Sequence, residues 1–178
     1  TDTTSETTTS AFTCMAVQSS GSSAQEGAIR ILSNGTTATS VGSTEAIVAG
    51  IRLNSAWLKK ASLQPVAFGV LPASGTDFVH YRVRYNSIIT GGTWTNLGVY
   101  DYLSALPSSF IGGSIISEGT LSLGNKNQVA AAQFRDVLND VYIGGGINAA
   151  TGDALVITMQ TNTGTGSVYY NAQFKEFT

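Results

Sequence analysis

The stretch Phe78–Asn96, FVHYRVRYNSIITGGTWTN, constrains the fold more than any other part of the chain. In its first half Val79, Tyr81, Val83 and Tyr85 alternate with His80, Arg82, Arg84 and Asn86. Successive side chains on a β-strand point to opposite faces, so a period of two marks a strand with one face buried and one wet. The Gly91-Gly92 pair then reverses the chain and presents a large aromatic, Trp94. A strand, a loop and an anchor residue in this order predict the middle of an antiparallel sheet.

Other segments repeat the theme. Ala46–Asn54 (AIVAGIRLN) places Ile47, Ala49, Ile51 and Leu53 on one face. Pro65–Leu71 is nearly all apolar, as expected of a strand covered on both faces, with Pro65 confined to its start or to an edge. Leu97–Leu103, Ser109–Ser117 and Thr120–Leu123 read as weaker strands, with Gly112-Gly113 marking a bulge. Asp153–Thr161 sets Leu155, Ile157 and Met159 against Val156, Thr158 and Gln160. Ser167–Phe177 sets Val168, Tyr170, Ala172 and Phe174 against Tyr169, Asn171, Gln173 and Lys175. With the NTGTG loop between them, these last two predict a closing hairpin.

One segment departs from the pattern. Ala130, Phe134, Val137, Leu138 and Val141 recur at helical spacing, so a short helix over Asn127–Val141, capped by Asn127, is expected. The alternative makes Asp140–Ile143 a strand edge. Short strands separated by Gly, Ser and Asn turns predict an all-β fold. The expected architecture is an antiparallel β-sandwich with jelly-roll-like or Greek-key connections, one short helix and an extended N-terminal arm.

The division is expected near residue 27. Residues 1–10, TDTTSETTTS, carry too little apolar surface to offset the entropy of ordering, and read as a tail that orders only against a partner, if at all. Ala11–Val17 (AFTCMAV) reads as a short strand or as an apolar hook, making Phe12, Met15 and Val17 the candidate partner contacts. Residues 1–26 are thus an arm and residues 27–178 a β-sandwich domain. Asn34-Gly35 is a turn signal, and Asn34-Gly35-Thr36 also fits a glycosylation acceptor.

Composition narrows the function. Charged residues make up 11% of the 178, against about 25% in an average chain. Ser, Thr, Asn and Gln must therefore build the polar surface, a habit of secreted and virion-surface β-proteins. The net charge of −2 comes without a basic run, so the clustered cations that nucleic-acid binding needs are missing and no nucleic-acid partner is expected. No apolar stretch approaches the roughly 20 residues of a membrane-crossing helix, and no membrane association is expected. The single cysteine, Cys14, cannot form an internal bridge.

Catalytic signals are weak. His80 is the only histidine and stands on the polar side of its strand. One His and one Cys cannot fill a transition-metal site, so no metal and no cofactor are expected. Asp77, Asp101, Glu118, Asp136, Asp140, Asp153 and Glu176 are scattered, with no local pair of the kind a glycosidase needs. Gly91-Gly92 and Gly144–Gly146 lack the helix and lysine of a phosphate loop and read as turns. Trp57, Trp94, Tyr100, Tyr102, Tyr169 and Tyr170 could include a sugar-stacking platform, with Trp57 and Trp94 its first candidates; for most of these aromatics the core is the simpler place.

Three pieces in succession carry a resemblance. IRLNSAWLKKASLQPVAFGVL runs into YRVRYNSIITGGTWTNLG, and the chain ends DALVITMQTNTGTGSVYYNAQFKEF. This order resembles a domain recurrent in tailed-bacteriophage virion proteins. There an I-R-L-K strand and a strand ending in V/I-L precede one ending N-P-x-L-T-G-x-x-W, and an aromatic-rich hairpin closes the domain. The likeness covers residues 46–178. The family's Asn-Pro is here Asn86-Ser87, and its acidic strand is here only Tyr100-Asp101-Tyr102. The resemblance implies a non-enzymatic structural component at the virion surface: a capsid decoration or head-fibre protein, or part of a tail fibre. Its partners would be the major capsid protein or tail and fibre proteins, and it would form a homo-oligomer, a trimer first. A carbohydrate-binding module or receptor-binding tail-fibre domain is the alternative, and a hydrolase of surface polysaccharide the third.

Overall fold

The computed structural model describes residues 27–124, 130–133, 142–145 and 153–178. Phe12, Cys14, Met15 and Val17 lie outside the described residues, as does most of the expected helix. Among the described residues the strands form two sheets and a small flap. The five-stranded sheet has the order β1 (Ala28–Ser33), β13 (Gly166–Phe177), β4 (Ser62–Ser74), β11 (Ala130–Gln133), and β2 (Thr39–Val41) pairs with β13 beyond the end of β1. The six-stranded sheet has the order β10 (Ser114–Ser122), β5 (Phe78–Tyr85), β12 (Ala154–Thr161), β3 (Ala46–Leu53), β8 (Tyr100–Ala105), β7 (Thr93–Asn96). The flap pairs β6 (Ile88–Thr90) with β9 (Ser109–Ile111). Every pairing is antiparallel.

The two sheets pack face to face as a β-sandwich, which the alternating runs predict. β5 lies between β10 and β12, with Val79, Tyr81 and Val83 buried and His80, Arg82 and Arg84 on the other face. Phe68 of one sheet meets Tyr81 of the other edge-on, with ring centroids 5.5 Å apart. Tyr100 meets Phe174 the same way at 5.0 Å. Each large side chain removed from water here, such as Leu63, Phe68, Leu121 and Met159, contributes about 1.5–3 kcal/mol. A smaller core of Ile47, Leu103 and Val156, with Ile89, Trp94 and Phe110 packed on it, lies on the outer face of the six-stranded sheet beneath the flap. β3 and β12 are consequently buried on both faces in their middle.

Several expectations need correction. The helix is not formed where it can be seen: Ala130–Gln133 is a strand, paired with Ala67–Val70. The open edge of β4 offers unpaired N–H and C=O groups, and satisfying them outweighs the helix preference of a short alanine run. Ile47 does not share a face with Ala49, Ile51 and Leu53. The β3–β12 register skips a residue between Ala49 and Ile47, opposite Ile157 and Thr158, and this bulge at Val48 sends Ile47 to the smaller core. β12 and β13 are both strands but not a hairpin, because they belong to different sheets. The loop between them crosses the sandwich, as do the β2–β3, β3–β4 and β4–β5 connections. Gly112-Gly113 links β9 of the flap to β10 of the six-stranded sheet, with both glycines at positive φ, rather than forming a bulge in one strand. Pro65 sits inside β4 where its ladder with β13 slips, a place that needs no donor from it. β4 is covered on one face only: Phe68 and Val70 are buried while Leu71 is exposed.

Candidate functional site

The outer face of the six-stranded sheet carries the charge. Glu45, just before β3, receives Arg82 Nη1 at 2.9 Å, Arg84 Nε at 3.1 Å and the Thr158 hydroxyl. Arg82 also reaches Glu118 at 3.2 Å, and the Arg84 guanidinium lies 5.4 Å from the Phe110 ring centroid. Burial works against ionising Glu45, but the Thr158 and Arg84 hydrogen bonds and the charges of Arg84 and Arg82 outweigh it and hold its pKa below the usual value. Glu45 is absent from the sequence-based candidates because it belongs to a Thr/Ser/Gly-rich loop, and only the sheet register brings two arginines to it.

The other described carboxylates are also committed to structural partners. Asp101 takes Arg52 at 3.1 Å and the Asn54 amide at 2.7 Å. Asp77 clamps the β12–β13 loop through the Thr163 backbone N–H and hydroxyl, and the Thr163 and Phe78 N–H groups keep its pKa low. Asp153 accepts from Asn86 at 2.8 Å, and Glu176 pairs with Arg30 at 2.9 Å on the rim of the sandwich. His80 Nδ1 lies 3.0 Å from the Thr120 hydroxyl, and no described carboxylate reaches it. Among the described residues no three His, Cys, Asp or Glu side chains come together in a metal-binding group. Asp136 and Asp140 lie outside the described residues.

The two tryptophans do not stand as open platforms. Trp94 packs on the smaller core, and the Arg52 guanidinium lies 4.4 Å from its ring centroid. Trp57 ends a 3-10 turn (Ser55–Trp57) that Asn54 caps, packs against the main core and has Lys60 Nζ 5.9 Å from its ring centroid. The structure does not bring the two together in one core. Tyr100 and Tyr170 also belong to the main core.

Two open surfaces lie on the five-stranded sheet. β1 has β13 on one side and no described neighbour on the other, and nearly all of its residues are exposed. On the outer face of the same sheet a cleft of about 360 Å³ is lined by Ile31, Ser33, Gly69, Leu71, Tyr169, Asn171 and Gln173, among others. Of the predicted aromatics, Tyr169 and Tyr170 both line it. Comparison with known proteins finds no matching family model, no matching curated protein and no matching solved structure.

Proposed function

We propose that this chain is a non-enzymatic structural component of a bacteriophage particle, a capsid decoration or head-fibre protein held in place through residues 1–26. The observation that supports the reading most is β1. It is the first strand after the arm, its sequence AIRILS is largely apolar, Ile29 and Ile31 are each 62% exposed, and its free edge has no described partner. An exposed apolar edge strand is a template for an added strand. The arm's Ala11–Val17 segment, with Phe12, Met15 and Val17, supplies a second strand-like piece for such pairing with a neighbour. The committed carboxylates agree with a body whose polar groups hold shape.

Deletion of residues 1–20 tests this. The truncated chain is expected to keep the thermal transition of the body and to lose its place on the particle; unchanged occupancy would refute the attachment. A trimer by light scattering on the intact chain is the expected assembly, and a monomer at all concentrations would speak against it.

A further inference from the structure

We propose that the outer face of the five-stranded sheet binds a neutral sugar. This inference does not rest on the particle reading. Tyr169, Asn171 and Gln173 stand at alternate positions of β13, so all three share its outer face. In register, Tyr169 lies beside Leu71, Asn171 between Ser33 and Gly69, and Gln173 between Ile31 and Ala67. From Tyr169 to Gln173 this row runs about 14 Å along the strand, enough for a short oligosaccharide. Gly69 makes the floor: the nearest atoms a Cβ there would meet are those of the Asn171 carboxamide, at 3.2 Å, so the missing side chain is what lets that amide lie against the sheet.

The chemistry of the row fits a pyranose. The C–H face of a sugar ring stacks on an aromatic such as Tyr169, and each carboxamide both donates and accepts, as paired hydroxyls require. Neither amide nor the Tyr169 hydroxyl is engaged by another described side chain. Among the described residues no Lys, Arg, Asp or Glu lines the cleft, which selects against sialic and uronic acids. A peptide fits less well, because extended peptides bind through main-chain groups at a sheet edge. Here the main-chain groups of β13 and β4 are spent on each other.

The test is a titration of the isotope-labelled full chain, followed by amide NMR, with cellobiose, maltose, lactose and N,N′-diacetylchitobiose at millimolar concentration. At least one is expected to give saturable shifts centred on Gly69, Tyr169, Asn171 and Gln173. Tyr169→Ala is expected to weaken that binding about tenfold, the equivalent of about 1.4 kcal/mol. Gly69→Val, which fills the floor without a strained backbone, is expected to abolish binding while leaving remote resonances in place. Trp94→Ala is expected to leave affinity unchanged. The absence of saturable shifts with all four sugars would overturn the proposal. So would wild-type affinity in Gly69→Val, or tighter binding of galacturonate than of any neutral probe.

Discussion

The carboxamide of Asn34 stands in for a peptide group beside Tyr170. Its Oδ1 accepts the Tyr170 N–H at 3.0 Å while its Nδ2 donates to the Val168 carbonyl at 2.9 Å. β1 pairs with β13 as far as Asn171, and β2 resumes the pairing at Val168. The chain turns out between them at Gly35, with φ +59°, and the Asn34 side chain completes the ladder across the gap. Nδ2 also donates to Thr39 Oγ1 at 3.1 Å, so a glycan there would cost one of its two bonds, and the Asn34-Gly35-Thr36 triplet is here a turn with a structural amide.

Asn34→Ala should orphan two main-chain groups. An unsatisfied buried group costs about 1–3 kcal/mol, and these are partly buried, so a combined loss of about 2 kcal/mol is expected from urea denaturation. Asn34→Asp keeps the acceptor and loses the donor, and should fall between the two. A loss below about 0.5 kcal/mol in Asn34→Ala would mean that water replaces the amide.

Glu45→Gln should loosen the outer face of the six-stranded sheet, because Arg82 and Arg84 lose the charge between them. The pH dependence is the sharper readout. Glu45 has a depressed pKa in the folded chain, so its contribution is fully present above the ordinary carboxylate pKa and disappears as pH falls through the folded value. Acid should therefore destabilise the wild type more than Glu45→Gln across that interval. Parallel acid profiles for the two proteins would refute the assignment.

Gly119 lies directly opposite Tyr81 in the β10–β5 ladder, and its missing side chain is where the Tyr81 ring lies. Gly119→Val suits a strand by propensity but would push a ring that is only 7% exposed. A loss of about 1–3 kcal/mol is expected by thermal or urea melting. A more stable variant would show that the ring can move at no cost.

Trp94→Ala should cost about 2–4 kcal/mol, since it uncovers one side of the smaller core and removes the surface beneath Arg52. Fluorescence-detected unfolding would report this through Trp57. A cost comparable to a surface substitution would mean that the flap is not held by this residue.

The sequence by itself determined which residues form strands and which faces are wet in the clearest cases. Val79, Tyr81 and Val83 are buried and the Tyr169, Asn171, Gln173 row is outward, because a period of two is a local property of the pleat. Which strands pair was decided only by the tertiary structure. Leu155–Met159 and Val168–Phe174 lie close in the chain, yet they sit in opposite sheets, because partners are chosen by the burial of both faces across the whole molecule. The same reason lets an open edge turn Ala130–Gln133 into a strand and one extra residue at Val48 carry Ile47 to another core. The charged cluster on Glu45 and the cleft over Gly69 are products of register, and register is a long-range outcome that local spacing does not encode.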